Sequence, residues 1–342
     1  MQNFLFLLLI FSISSCTKLF VDENKENTPI NNFEMLWKLV DENYCYFEYK
    51  NIDWDYQYSV YKEKIFDSMS DEELFNVLSE MLSELKDGHV NLYSNFNQSR
   101  YWNWYLDYPS NFDEKILDEK YLGNDYYISG GLVSKLLKNN IGYIRYSSFS
   151  SVVDDDNLNF VLSKFSDTDG IIIDIRNNGG GYIYISDLIA SRFIPEQYSD
   201  STSIRVGYLK YKTGVEHDDF SDFYKVDLIP TKKENIKYQK KVVLVTNRLV
   251  YSAANDFAMK MKALPNVILM GDTTGGGGGV PILNELYNGW SVRYSANPMF
   301  DSEKKHTEFG IAPTYFVQMD TTNREFDSIL ESAIDYLSNK NK

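Results

Sequence analysis

Past residue 30 the apolar positions fall into two successive rhythms. Phe33, Leu36, Trp37 and Val40 recur at three- and four-residue intervals, and Leu74, Val77, Leu78, Met81, Leu82 and Leu85 do so more fully. That spacing lines one face of an α-helix. Ser70 with Glu73 three residues on forms a capping box at the start of the second helix, each side chain satisfying a free backbone N–H. Lys86-Asp87-Gly88 ends it, and the alternation His89-Val90-Asn91-Leu92-Tyr93 predicts a strand with His89 at the element boundary. From about residue 140 short apolar strands alternate with helical runs: strands at 141–146, 170–175, 242–245 and 267–270, helices at 158–165, 183–193 and 253–263. The pattern predicts an α/β core over residues 87–342, preceded by a helical subdomain at 31–86. Residues 195–240, rich in Tyr and charge, predict a hairpin-bearing insertion placed to border a substrate cleft.

The chain opens with a different pattern. An apolar run from Phe4 to Phe11, too short to span a bilayer as a helix, is followed by Ile13-Ser14-Ser15-Cys16. It resembles a bacterial lipoprotein signal, and the resemblance implies removal of residues 1–15, acylation of Cys16 and a protein held at the cell envelope, on the outer membrane or its periplasmic face. Residues 16–30, polar and charged and containing Pro29, predict a flexible tether. Cys45 is then the one cysteine left in the folded part, so no disulfide forms within it, and its apolar helical setting predicts core packing.

The 342 residues, 43% apolar and 24% charged, suffice for a globular enzyme. A net charge of -15 without a basic stripe argues against nucleic acid as a partner. The three histidines and two cysteines show no metal-ligand spacing, so neither a metal nor another cofactor is expected.

Three local patterns carry candidate chemistry. Ile171-Ile172-Ile173-Asp174-Ile175-Arg176-Asn177-Asn178-Gly179-Gly180-Gly181 runs a buried strand into a glycine turn, where backbone N–H groups can approach a developing oxyanion. No Lys follows the glycines as in a nucleotide-binding P-loop, and a tight turn stabilised by an Asp174–Arg176 pair is the plain alternative. Val243-Leu244-Val245 leads through Tyr251 to Ser252, which opens a helix ahead of Ala253 and Ala254. That location suits a nucleophile, but serine is also a preferred helix N-cap. His89 is a candidate base to take the serine's proton, His217 reads as surface, and His306 is a rival.

Taken in order, Leu85-Lys86-Asp87-Gly88-His89, Asp174 through Gly181, Ser252-Ala253-Ala254 and Gly310-Ile311-Ala312-Pro313 resemble the tail-specific, C-terminal processing and tricorn-core serine peptidase family, over about residues 31–340. The resemblance implies a ClpP/crotonase-like β-α spiral core, in fold class α/β (α+β), and cofactor-free hydrolysis of peptide bonds in peptides or unfolded proteins, of the envelope or extracellular, through an acyl-enzyme on Ser252. It implies oxyanion donors from the backbone of Ala253 and of Gly179 or Gly180. The family divides by its general base. Residues 275–279 are all glycine where the Ser/Lys branch has a lysine, and Lys260 lies roughly 12 Å along the helix from Ser252. The tricorn-like Ser/His branch is therefore the match, with His89 as base and Glu308 as the acid that orients it; Asp87, Asp272 and Glu303 are alternatives for that acid. The chain departs from the family at Asn255, where Glu is common, and at Thr314, where Asp is expected. Residues 93–142 are too short and too aromatic for the PDZ domain many relatives insert there. The competing reading is an inactive envelope lipoprotein that binds peptides or, through the aromatics of residues 93–127, glycans.

Overall fold

The computed structural model describes residues 26–198 and 203–339. The expected signal sequence, Cys16 and most of the expected tether lie outside the described residues. Helix α1 (Pro29–Asn43) begins inside the segment expected to be tether. Pro29 sits in its first turn, where its missing N–H costs nothing, and the Thr28 side chain caps Asn31 N. Helices α2 (Phe47–Lys50), α3 (Trp54–Lys62) and α4 (Asp71–Ser83) follow, and α4 carries the full Ser70/Glu73 capping box. These helices do not close a core by themselves. Phe33, Leu36, Trp54, Leu78 and Met81 share one cluster with Leu92, Trp290, Val292 and Tyr294 of the following fold, so removing α1–α4 would expose apolar strand faces to water.

Strand β1 is shorter than the alternation suggests, Asn91–Tyr93, and leaves His89 in the turn before it. Residues 93–142 hold two short helices, α5 (Asn103–Leu106) and α6 (Glu114–Ile116), a π-helical turn at Leu117–Leu122, and a hairpin of β2 (Tyr127–Ser129) and β3 (Leu132–Leu137). The hairpin extends the main sheet through β4 (Ile141–Tyr146). Helix α7 (Asp155–Lys164), strand β5 (Gly170–Asp174) and helix α8 (Ile183–Ala190) come next. Strands β6 (Ile204–Leu209) and β7 (Tyr224–Leu228) pair antiparallel within the insertion. Strand β8 (Val242–Thr246), helix α9 (Ala253–Lys262) and strand β9 (Val267–Gly271) complete the alternation.

The main sheet has order β12-β9-β8-β5-β4-β3-β2, with β12 (Tyr315–Phe316) at its edge, and its strands from β12 to β4 run parallel. Parallel strands need covered faces. Helices α7, α8 and α9 cover one face through Val161, Leu162, Ile185, Ile189, Phe257 and Ala258. Helix α10 (Ser328–Ser338) covers the other through Ile329, Leu330, Ala333 and Ile334. A second, antiparallel sheet is built on the long β11 (Ser291–Asp301), which pairs with β1, β10 (Gly279–Glu285) and β6. This is the mixed α/β core with an N-terminal helical part that the sequence predicts.

The Asp174–Arg176 pair exists and has a structural task. The fully buried Arg176 guanidinium meets Asp174 at 2.7 Å and Asp327 at 2.7 Å, and lies over the Phe112 ring. Asp327 also caps α10 by accepting from Ile329 N and Leu330 N. One arginine thus ties the C-terminal helix to the end of β5.

Candidate active site

Strand β8 and the turn after it carry Ser252 to the N-terminus of α9, where the backbone of Ser252 takes φ 56°, ψ -122°. A non-glycine residue there stores about 1–3 kcal/mol of strain. The neighbouring loops hold it in place: Tyr251 N donates to Asn178 O at 3.0 Å and Ser252 N donates to Gly276 O at 2.9 Å. Each such bond is worth about 1 kcal/mol net, enough together to offset the strain. The hydroxyl makes no capping bond to the helix. It lies instead 2.9 Å from His89 Nε2. Ser252 is the N-cap residue of α9 by position, but its side chain faces the histidine instead of capping the helix.

His89 is fixed at both backbone ends. Its N–H donates to Asp87 Oδ1 at 2.8 Å, and its carbonyl accepts from Arg293 Nε at 3.0 Å. The ring packs edge-on against Tyr251, which stacks on Trp104 with centroids 4.2 Å apart. Nδ1 is buried and has no hydrogen-bond partner among the described residues, while the backbone of Gly279 beside the ring favours its protonation. A proton on Nδ1 leaves the Nε2 lone pair facing Ser252. Burial above all, with Arg293 and Lys50 adding to it and Asp87 opposing, holds the imidazole pKa down at about 4. His89 is accordingly neutral, and able to accept a proton, across the neutral range.

The carboxylates are arranged differently from a direct Ser-His-acid relay. Glu308 makes no hydrogen bond to His89; its Oε1 lies 2.7 Å from Lys50 Nζ and its Oε2 accepts from Gly278 N at 3.0 Å. A buried ammonium takes the lone pairs that the expected triad acid would offer to Nδ1. Asp87 approaches His89 through the backbone only, and also accepts from Tyr44 and Ser295. Asp272 is engaged by Asn111 and Thr273 N, while exposed Glu303 pairs with Lys305. His306 stacks on Tyr49, and His217 pairs with Asp41 at 2.8 Å and stacks on Phe47. Lys260 is held by Asp187 and Asp256. Asn255 bonds Thr307 O and accepts from Thr274, and Thr314 accepts from Leu269 N, so both departures serve packing between elements.

Of the backbone donors, Ala253 N–H, first in α9, and Gly179 N–H have no acceptor among the described residues. Gly180 N–H is different: it donates to Asn178 Oδ1 at 3.0 Å and is not free for an oxyanion. Gly180 serves by its shape. At φ +97° a Cβ on it would lie 2.7 Å from Tyr251 O and 2.8 Å from Ser252 Cβ, whereas a Cβ on Gly179 would meet nothing within 4 Å. Gly179, His89, Ser252 and Ala253 line a cleft of about 650 Å³, walled by Trp104 and Tyr182. Lys50 was not singled out by any motif; only its burial between two distant carboxylates marks it.

The model of peptidase family S41 matches residues 140–317, and that of the tricorn protease C1 domain matches residues 26–83. The chain belongs to peptidase family S41. The S41 chain is 47% identical to a candidate peptidase from Parabacteroides merdae, covering 91% of this chain and 97% of that one with a TM-score of 0.85. The fold is also that of mature CPAF in complex with lactacystin (11% identity, 91% and 97% covered, TM-score 0.64) and of the photosystem II D1 C-terminal processing protease (14%, 92% and 98%, 0.54).

The contrast between adjacent glycines is testable by thermal unfolding. Gly179→Ala is expected to melt with the wild type, and Gly180→Ala to melt several degrees lower because it forces positive φ and a backbone clash. Equal melting would contradict the close apposition of the glycine turn and the serine turn.

Proposed function

We propose that this S41 protein is a serine peptidase acting on extended peptides or unfolded proteins of the cell envelope. The observation that carries the reading is Ser252 Oγ at 2.9 Å from His89 Nε2, with the serine backbone strained and its hydroxyl turned away from the capping position. As Oγ attacks the scissile carbonyl carbon, its proton passes to His89 Nε2 and the carbonyl π electrons move onto oxygen. That oxyanion sits against the N–H groups of Ala253 and Gly179, whose dipoles are oriented before the reaction begins. The protonated imidazole then gives its proton to the leaving amine, and the acyl group remains on Ser252. Water, deprotonated by His89, attacks the ester by the same steps in reverse. In this reading Glu308 acts on His89 at one remove, through the backbone it anchors.

The size of the site favours a polypeptide. Through Ile183, Tyr184, Asp256, Val280 and Met299 the catalytic cleft adjoins an open basin of about 1050 Å³ bounded by β6 and β7. Such a groove accommodates chain well beyond the scissile bond. The lipobox at residues 13–16 supports anchoring through acylated Cys16. Palmitate label should enter the wild type and not Cys16→Ala; equal labelling removes the anchor from the proposal.

Hydrolysis of unstructured casein and of peptide libraries is expected from the wild type, with rates falling by several orders of magnitude in folded Ser252→Ala and His89→Ala. Because His89 must be neutral to act as base, the acid limb of kcat/KM should lie near pH 4, well below an ordinary imidazole. Full activity in Ser252→Ala would reject the nucleophile, and a wild type that binds peptides but never cleaves them would favour the inactive binding protein.

A further inference from the structure

Behind the imidazole lies a sealed cluster of three charges, Lys50, Asp87 and Glu308, each side chain less than 5% exposed. Lys50 comes from the end of α2 in the N-terminal helical part, Asp87 from the turn after α4, and Glu308 from the loop after β11. Lys50 Nζ is 2.7 Å from Glu308 Oε1 and 3.5 Å from Asp87 Oδ2, and it also donates to the carbonyls of Leu85 and Lys86 at 3.3 Å each. The ammonium itself lies over the rings of Tyr44 and Tyr46, 5.8 and 5.3 Å from their centroids, which help to exclude water from it.

Both carboxylates continue toward His89 by separate routes. Asp87 Oδ1 receives the His89 N–H at 2.8 Å. Glu308 Oε2 receives the N–H of Gly278, and Glu308 O that of Gly277, pinning the glycine run just before Gly279, whose backbone lies beside the His89 ring. One route fixes the main chain of the histidine and the other the strand beside its ring.

We infer that Lys50 is a positioning residue for His89, joining these two routes so that the catalytic imidazole is held in place only when the N-terminal helical part is docked. The inference rests on the Ser252–His89 reading of the site. Two carboxylates in one dry pocket repel, and a single ammonium between them both neutralises the repulsion and sets their spacing. Burial and the Asp87 charge push the Glu308 carboxyl up, while Lys50 opposes that rise and helps hold Asp87 ionised against its own burial. Without Lys50 the two routes no longer share a fixed point, and a shift of the ring by a fraction of an ångström lengthens the proton transfer from Ser252. A lysine retained only for stability would behave differently: its loss would lower the melting temperature and leave kcat of the folded protein alone.

The experiment measures kcat and KM of full-length protein on a casein-derived peptide, well below the unfolding midpoint, for wild type, Lys50→Met and Lys50→Arg, with Ser252→Ala alongside. Lys50→Met is expected to lose kcat on the order of 100-fold with KM unchanged, and Lys50→Arg, which keeps the charge, to recover much of it. If Lys50→Met fails to fold, Lys50→Met combined with Glu308→Gln removes the stranded carboxylate, and the folded double variant should show the same kcat loss. Wild-type kcat in folded Lys50→Met, or in the double variant, would overturn the inference while Ser252→Ala remains inactive. Activity in Ser252→Ala would instead overturn the underlying reading, and the inference with it.

Discussion

A single non-glycine residue held at φ 56° sets the demands that the surrounding structure meets. Ser252 can point its hydroxyl at His89 because its backbone is turned out of the helical path, and that turn persists because neighbouring chain over-determines it. The loop after β5 takes the N–H of Tyr251, and the glycine run after β9 takes that of Ser252. Both loops approach so closely that side chains are excluded: a Cβ on Gly276 would sit 1.7 Å from Glu308 O, and one on Gly180 would strike the serine turn. The parallel order β9-β8-β5 brings these loops to one end of the sheet, so topology and backbone strain are two aspects of one requirement.

The imidazole is supplied from outside that sheet. His89 lies between α4 and β1, and its placement depends on the second sheet through Arg293 and on the helical part through the Lys50 cluster. The aromatic residues of 93–127 read in the same light. Trp104 covers Tyr251, and Tyr101 and Trp102 line the cleft, so these three rings shape the approach to Ser252.

Much of this was legible in the chain and some was not, for identifiable reasons. Helix α4 announces itself because its apolar stripe, capping box and stop signal agree. Residues 158–165 read correctly as helix but start late, since the first turn of α7 is acidic and its Asp154 cap precedes the apolar residues. Pro29 signals chain breaking and helix entry alike, and the Thr28 cap decides for entry. Strands β10 and β11 escape notice because glycine and proline interrupt their alternation at Gly279, Pro281 and Pro298. Ser252 and His89 could be proposed from motif order, but their 2.9 Å contact links segments far apart in the chain. The family resemblance offers Glu308 as the imidazole's acid, but a sequence shows a carboxylate's position and not its partner, and Lys50, still farther along the chain than His89, pairs with it.

The proposed chemistry rests on His89 making Ser252 nucleophilic. The most direct test is the rate at which a serine-directed fluorophosphonate forms an adduct at Ser252, located by tandem mass spectrometry, in wild type and folded His89→Ala. A stoichiometric adduct on Ser252 is expected in the wild type, and a rate lower by at least about 100-fold in the variant. An unmodified Ser252 in the folded wild type, or equal rates in the two proteins, would contradict it.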